Sequence, residues 1–248
     1  MLSLRKLRVF LLPFAAVVLI LSLLSFSDML TERLSSSVVS AALDNKPLVI
    51  IDPGHGGIDG GAQANGICES ELNLAIALKT AELCRAFGFN VIMTRDSDIS
   101  IHDDSAATVR QKKNSDLRNR LRIMTDNTNA AVISIHLNKF QESYVHGAQV
   151  FYAPNSLGSN RLAEIIQKTI KELIQPDNNR ETKQSDSSLY ILYNNKVNPA
   201  VMVECGFISN PQEALLLKDS NYQDKLAFAL LYSLIEFYNK PENTNSYR

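Results

Sequence analysis

The stretch Val49–Gly57, VIIDPGHGG, carries an apolar run straight into an aspartate, a proline and a histidine set among three glycines. A short, β-branched run of this kind is typical of a buried strand, here ending at Asp52. The glycines can adopt backbone angles that other residues resist, so the loop has unusual freedom to place His55. Sites in α/β sheets form at the carboxyl ends of strands, and this loop is therefore the first candidate for chemistry.

Four further runs of short, β-branched or aromatic sequence predict strands. Several of them lack polar alternation, which is expected of strands that are covered on both faces. The four runs span Asn90–Arg95, Ala130–Asn138, Gly147–Ala153 and Ala200–Phe207.

Apolar residues at helical spacing lie between these runs. One stripe predicts a helix over Glu69–Phe87, and Gly88 suits its end. The sequence of Asn210, Pro211 and Glu213 predicts the start of a short helix. The remaining helices are marked by Leu117, Leu121 and Met124, by Leu162, Ile166, Thr169 and Leu173, and, beginning near Tyr222, by Leu226, Leu230, Leu234 and Phe237. This alternation predicts an α/β fold of three layers, α/β/α, with a largely parallel mixed sheet.

The N-terminal residues have a different composition from the rest. Three positive charges within residues 5–8 precede residues 9–26, a run of 18 residues without a charge. A basic end before such a run predicts a signal peptide or signal anchor helix over residues 1–27, and an uncleaved anchor is favoured. Residues 28–46 are then a linker, residues 47–240 a single folded domain and residues 241–248 a tail. The domain is expected outside the cytoplasm, either membrane-anchored or secreted.

Composition and cysteine usage exclude few classes of protein. The 248 residues are 45% hydrophobic and carry a net charge of −1, so nothing in the chain favours binding to nucleic acid. The three cysteines, Cys68, Cys84 and Cys205, fit no zinc-finger or CxxC spacing. Free thiols, buried or half-buried, are favoured, and a disulfide between Cys68 and Cys84 is the alternative.

Chemically capable side chains gather where the predicted strands end. His55, His136 and Glu204 lie at or just beyond the ends of three strands, and Glu69 begins the helix after the glycine-rich loop. Two histidines and one carboxylate are a common ligand set for zinc, and they leave the fourth position to water at a catalytic site. The sequence therefore favours a catalytic zinc centre at one edge of the sheet.

Each of these residues also has a structural interpretation. A histidine at a strand end is often packed and hydrogen-bonded, and a glutamate at a helix start often interacts with the helix dipole. A glycine-rich loop can hold phosphate, but GHGGIDGG lacks both the Lys-Ser/Thr of a P-loop and a GxGxxG helix opening. Glu204 is the hardest to explain structurally, because burying a carboxylate at an apolar strand end is costly without a partner.

Three motifs in order, IDPGHGGIDGGA followed by a glutamate, SIHLN and VECGFISNPQEA, resemble those of the zinc-dependent N-acetylmuramoyl-L-alanine amidases of the type 3 family. The resemblance covers about residues 48–238 and implies a phosphorylase/hydrolase-like catalytic domain with one Zn²⁺ per chain. It implies that His55, Glu69 and His136 bind the zinc and that Glu204 is the catalytic glutamate. Further matches, including SDLRNRL and NYQDKLA, resemble the family members that act on spore cortex, in muramic-δ-lactam formation and germination.

The resemblance also implies a substrate and partners. The substrate would be peptidoglycan, cleaved at the amide between the lactyl group of N-acetylmuramic acid and L-alanine of the stem peptide. An accessory protein and a membrane contact through the N-terminus are further expected partners, and no nucleic acid is expected. The rival hypotheses are a general autolysin of the vegetative wall, a zinc peptidase, and a wall-binding protein without catalysis. The last is disfavoured, because all four residues of the site are present.

Two polar residues beside the motifs are weaker candidates, and each has two interpretations. Asn138 either hydrogen-bonds the substrate or holds His136. Asp52 either orients His55 as a hydrogen-bond acceptor or only shapes the turn.

The arginines and the remaining histidines are weaker still. Arg95 and Arg120 either meet carboxylates of the substrate or form structural ion pairs, and ion pairs are favoured. His102, in a polar loop, and His146, just before a strand, are expected to take no part in the chemistry.

Overall fold

The computed structural model describes residues 46–239. The predicted N-terminal anchor, the linker up to residue 45 and the C-terminal tail lie outside the described residues. Within residues 46–239, no helix is both long and apolar enough to cross a bilayer. A six-stranded, mostly parallel sheet has helices on both faces, which confirms the predicted α/β fold class.

Strands and helices alternate along the described chain. The order is β1 (Leu48–Pro53), β2 (Gln63–Ala64), β3 (Ile67–Cys68), α1 (Glu69–Ala86), β4 (Asn90–Met93), α2 (Val109–Asp126), β5 (Ala130–Asn138), β6 (Gln149–Tyr152), α3 (Ser159–Leu173), β7 (Lys183–Gln184), α4 (Tyr190–Asn194), β8 (Ala200–Phe207), α5 (Pro211–Lys218) and α6 (Ser220–Asn239). The five predicted strands are present, whereas the two-residue strands β2, β3 and β7 and the short helix α4 were not predicted.

The sheet brings three strand ends to one edge. Its order is β4-β1-β5-β8-β6-β7, with β4, β1, β5 and β8 parallel and β6 antiparallel to β8. In this register His136 of β5 pairs with Glu204 of β8, and Gln149 of β6 pairs with Glu204 from the other side. Side chains of paired residues lie on the same face of a sheet, so these three form a row near the carboxyl ends of β5 and β8.

A separate apolar core covers each face of the sheet. Residues such as Ile51 and Ile133 face the larger core under α1, α3 and α6. Their neighbours Ile50 and Val132 face the smaller core, where Met124 of α2 packs. Burial on both faces explains why the strand sequences lack polar alternation.

Local sequence sets where two of the helices begin. At α2, the Thr108 hydroxyl accepts a hydrogen bond from the Gln111 amide, and the Gln111 side chain accepts one from the Thr108 amide in return. At α5, the Asn210 side chain accepts from the amides of Gln212 and Glu213, with proline at the first helical position. The second cap is the one that the sequence predicted.

The three cysteines are free thiols. Cys84 and Cys205 are buried, and burial raises the pKa of the Cys84 thiol to about 12. The alternative of a Cys68–Cys84 disulfide is therefore wrong, and the favoured prediction of unpaired, buried or half-buried thiols is confirmed.

A buried ion pair joins β1 to α2 beneath the edge of the sheet. Arg120 is 1% exposed and Asp52 fully buried; Nη1 of Arg120 lies 2.7 Å from Oδ1 of Asp52, and its Nε lies 2.6 Å from Oδ2 of Asp116. Thr94 and Ser134 also donate to the Asp52 carboxylate. Burial alone would raise the pKa of Asp52, but the charge of Arg120 and these hydrogen bonds outweigh it and hold that pKa below 3.8.

Removal of Arg120 is expected to cost about 3–5 kcal/mol of unfolding free energy, because it leaves a buried carboxylate without its counter-charge. The test is urea unfolding of Arg120→Met, with Arg118→Met as control on the exposed side of the same helix. The control is expected to change the free energy by less than about 0.5 kcal/mol. Equal effects of the two substitutions would contradict a special role for the pair.

The ion pair of Asp52 and Arg120 also predicts that the stability of the fold depends on pH. The pKa of Asp52 is lower in the folded state than in the unfolded state. The ionised carboxylate therefore stabilises the fold above its ordinary pKa of 3.8, and this stabilisation is lost as the pH falls through the folded-state pKa. Asp52→Asn should therefore be less stable than the wild type at neutral pH by an amount that shrinks below pH 3.8. A difference that stays constant through this acid range would contradict the assignment.

Candidate metal centre

The glycine-rich loop after β1 holds His55 in an uncommon backbone conformation. His55 has a φ of 60°, in the left-handed region that few non-glycine residues adopt. The amide of Gly54 donates to the carbonyl of Ile135 at 3.0 Å, which ties the start of the loop to β5. Non-glycine residues held in this region cluster at functional sites, where the surrounding structure compensates for the strain.

Two buried arginines support this loop from below. Arg95 is 3% exposed and donates to the carbonyls of Pro53, at 2.9 Å, and Gly54, at 3.0 Å. Arg120 donates to the carbonyls of Pro53, at 2.7 Å, and His55, at 2.6 Å. The structure places both arginines under the backbone of the loop, and for Arg120 it shows the favoured structural ion pair, with Asp52 and Asp116. For Arg95 the partners are backbone carbonyls rather than a carboxylate.

Glu69 touches both histidines from the first turn of α1. Its Oε1 atom lies 2.9 Å from Nδ1 of His136 and 3.3 Å from Nε2 of His55. The other oxygen, Oε2, accepts a hydrogen bond from the amide of Ala62 at 2.8 Å. Burial alone would raise the pKa of Glu69, but the hydrogen bonds to His136 and His55 outweigh it and hold that pKa far below its usual range.

The three side chains form a cluster of metal-ligating groups. One ligand atom from each of His55, Glu69 and His136 lies within 4.8 Å of the other two, and the two imidazole centroids are 5.0 Å apart. Burial lowers the pKa of His55, but hydrogen bonds to Asp59 and Glu69 outweigh burial and raise it to about 9. An imidazole pair and a carboxylate at this separation have the chemistry and spacing of a three-ligand zinc site with an open fourth position.

Glycines make room for this cluster. A Cβ atom on Gly54 would lie 2.2 Å from Nε2 of His136. A Cβ on Gly61 would lie 2.6 Å from a carboxylate oxygen of Glu69. On the sequence alone, the glycines are explained by the unusual backbone angles that they can adopt, and Gly56, Gly57 and Gly61 do have positive φ. For Gly54 the requirement is space.

Glu204 lies beside the cluster with one carboxylate oxygen unsatisfied. Its Oε2 atom is buried and makes no hydrogen bond to any of residues 46–239, although the residue as a whole is partly exposed. Burial raises the pKa of Glu204 to about 7; the positive charge of His136 opposes this shift and the negative charge of Glu69 adds to it. A carboxyl group with this pKa, facing a cluster of metal ligands, has the properties of a general acid-base group.

Asp52 and Asn138, the two weaker candidates near the strand ends, have their own hydrogen-bond partners. The Asp52 carboxylate accepts from Thr94, Ser134 and Arg120, and Arg120 in turn donates to the carbonyl of His55. Asn138 ends β5, half-buried, and its backbone carbonyl accepts from the amide of Ile208 at 2.8 Å. Its role towards substrate or His136 stays a prediction.

The other two histidines lie apart from the cluster. Nδ1 of His102 is 2.9 Å from the Ser100 hydroxyl, and Nδ1 of His146 is 3.0 Å from the carbonyl of Tyr144. Neither belongs to the group of ligand atoms found among the described residues.

Sequence reasoning missed two features that build the site. The first is the hairpin of β2 and β3, which delivers Glu69 directly from its second strand into α1; Asn65 and Gly66 at its turn both have positive φ. An Asn-Gly pair is the strongest short-range hairpin signal, so this feature was available in the sequence. The second is Asp59, whose Oδ2 lies 3.0 Å from Nδ1 of His55. The acceptor for His55 is thus Asp59 and not Asp52.

Comparison with known proteins places the chain in a sequence family. Residues 49–236 match the family described as N-acetylmuramoyl-L-alanine amidase. The chain is 31% identical, over 191 residues, to the germination-specific N-acetylmuramoyl-L-alanine amidase of Bacillus subtilis. The aligned region covers 77% of this chain and 79% of that relative. It is 29% identical over 192 residues to the amidase LytC of the same organism, but spans only 35% of that longer protein.

A solved structure extends the similarity to three dimensions. The CwlD amidase from Clostridioides difficile, determined in complex with the GerS lipoprotein, matches with a TM-score of 0.74 and 40% sequence identity. The match covers 79% of this chain and 99% of that chain.

Substitution of Gly54 is expected to impair the cluster without unfolding the domain. In Gly54→Ala the new methyl group displaces the ring of His136, and we expect affinity for zinc to fall by at least about 10-fold. The control is Gly60→Ala in the same loop, where a Cβ would lie 3.0 Å from Sγ of Cys68 and 3.5 Å from Nε2 of Gln63, neither of which belongs to the cluster. Competition with a chromophoric chelator measures the affinity. Unchanged zinc binding in Gly54→Ala would contradict the steric argument.

Proposed function

The chain belongs to the family of N-acetylmuramoyl-L-alanine amidases, and from that premise we propose that its hydrolysis is carried out by Glu204 beside a zinc ion held by His55, Glu69 and His136. The observation that carries this proposal is the buried, unpartnered Oε2 atom of Glu204 next to three clustered ligands. Such an atom is costly in a stable fold unless a ligand or water completes its contacts. Its position therefore supports a catalytic role over a structural one.

Two imidazoles and a carboxylate suit zinc, with the fourth position left to water or substrate. A bound zinc ion would polarise the amide carbonyl and lower the pKa of water in the site towards about 7. The protein's part is to hold His55, Glu69 and His136 at one point, from a loop, a helix start and a strand end. The glycines at 54 and 61 leave the space that this convergence needs.

Glu204 moves the proton in the proposed reaction. Its carboxylate accepts a proton from the attacking water, and the water oxygen bonds to the amide carbon. The C–N bond then breaks, and Glu204 returns the proton to the departing amine. One water is consumed, and a carboxylic acid and an amine are produced.

The proposed substrate is the amide between the lactyl group of N-acetylmuramic acid and L-alanine of the stem peptide, in spore cortex. Support comes from the extent of two matches: the chain spans 79% of a germination-specific amidase and 99% of the CwlD chain. Cleavage leaves a free lactyl carboxylate on muramic acid. A later ring closure to muramic-δ-lactam would require that carboxylate.

An accessory protein and an extracytoplasmic location complete the proposal. CwlD was solved with a lipoprotein bound, and we extend to this chain the need for a partner of that kind. The apolar run of residues 9–26 would hold the enzyme at the membrane surface, close to the wall that it cuts.

Glu204→Gln is expected to bind zinc normally and to lose about 10²–10⁴ in turnover rate, the usual contribution of general base catalysis. Zinc content measured by elemental analysis and cleavage of purified muropeptides separate the two effects. His102→Gln serves as control, since its ring lies outside the cluster. Normal turnover in Glu204→Gln would show that another group moves the proton.

Product identity tests the substrate. Digestion of cortex muropeptides should release intact stem peptides that begin with L-alanine, and a chelator should stop the release until zinc is restored. Mass spectrometry identifies the fragments. Cleavage between two amino acids of the stem would indicate a peptidase, and equal rates on vegetative wall would indicate a general autolysin.

A further inference from the structure

His55 presents its two ring nitrogens to two different carboxylates. Nε2 faces Glu69 at 3.3 Å within the ligand cluster, and Nδ1 lies 3.0 Å from Oδ2 of Asp59 on the opposite side of the ring. A histidine that ligates a metal through one nitrogen usually donates the other N–H to a carboxylate, which fixes the tautomer and the ring orientation. Asp59 occupies the place of that carboxylate.

Each oxygen of Asp59 has a separate set of contacts. Oδ2 faces His55, whereas Oδ1 lies 2.8 Å from Nζ of Lys113 on α2 and accepts from the amide of Gly61 at 3.3 Å. The backbone of Asp59 is held independently, since it exchanges two hydrogen bonds with Gly56, at 2.7 and 3.1 Å. Removing the Asp59 side chain therefore leaves the backbone contacts of the turn in place.

We propose that Asp59 is a positioning residue that holds the His55 ring with Nε2 towards the metal, and that Lys113 of α2 fixes the Asp59 carboxylate in turn. The inference rests on the proposed function, because it takes His55 to be a zinc ligand. It adds a chain of contacts, from α2 through Lys113 and Asp59 to His55, which makes the affinity for zinc depend on a helix that carries no ligand.

The competing explanation is that Asp59 only shapes the loop. Asp98 supplies a matched comparison, because its Oδ1 accepts from the amide of Gly57 in the same loop, at 2.9 Å, and within residues 46–239 its hydrogen bonds reach none of His55, Glu69 and His136. If loop shape alone matters, removal of either carboxylate should have similar consequences. If orientation of the ring matters, only the removal of Asp59 should weaken zinc binding.

The contribution of Lys113 to zinc affinity is expected to be small. Its side chain is 47% exposed and that of Asp59 is 24% exposed. Exposed ion pairs contribute little, and their loss corresponds to at most about a fivefold change in an equilibrium. Lys113→Met should therefore weaken zinc binding less than Asp59→Ala does and leave the stability of the metal-free protein nearly unchanged.

The experiment measures zinc affinity of the full chain by chelator competition, together with thermal unfolding of the metal-free protein. Asp59→Ala is expected to bind zinc about 10- to 100-fold more weakly than the wild type, and Asp59→Asn to lose less, because its amide oxygen can still accept from Nδ1–H. Asp98→Ala is expected to bind zinc as the wild type does. In the loaded protein, the Nδ1–H resonance of His55 should exchange with solvent faster in Asp59→Ala than in the wild type.

Two results would overturn the inference while leaving the proposed function intact. One is wild-type zinc affinity in Asp59→Ala, and the other is an equal loss of affinity in Asp98→Ala. Failure of the wild-type chain itself to bind zinc would instead overturn the proposed function, and the two failures are thus distinguishable.

Discussion

The contact of one carboxylate with two imidazoles holds the candidate site together. Glu69 meets His55 and His136 through a single oxygen, and these three residues come from a helix start, a loop and a strand end that lie far apart in sequence. The contact exists because parallel strands β1 and β5 end at the same edge and the β2–β3 hairpin turns the chain back over it.

Two buried arginines beneath this edge hold the backbone of the glycine-rich loop. Arg95 and Arg120 together hold the carbonyls of Pro53, Gly54 and His55, and Asp52 neutralises Arg120 from within the sheet. A buried arginine is stable only when its donors are satisfied, so each arginine both requires and enforces one path of the loop. His55 can therefore remain in a left-handed conformation that a free loop would leave.

Glu204 places a carboxylate in a strand that otherwise consists of core residues. Every other feature of β8 is that of a core strand, with Val203 and Cys205 fully buried on either side of it. Burial of the carboxylate disfavours its charged form and raises its pKa, a cost to folding that fits the proton-transfer role proposed for Glu204. The burial that stabilises the sheet is therefore also the cause of the raised pKa of this carboxyl group.

The fold class, the five main strands and the residues of the central cluster could be predicted from the amino-acid sequence. Short apolar, β-branched runs indicate buried strands and apolar residues at helical spacing indicate buried helix faces, and a histidine or glutamate at the end of an apolar run is visible without coordinates. The two short hairpin strands were also encoded, in the Asn65–Gly66 turn, although their two-residue length gave no periodicity.

Which aspartate contacts the ring of His55 depends on the three-dimensional fold and could not be predicted from the sequence. Asp52 and Asp59 are both close to His55 in sequence, but Asp52 points into the sheet towards Arg120 and Asp59 faces the ring. The choice depends on the path of a loop with several positive φ angles and on two arginines and a lysine that arrive from beyond β4 and from α2. Such long-range contacts leave no local pattern in a sequence, because each partner satisfies its hydrogen bonds in a segment that lies far away along the chain.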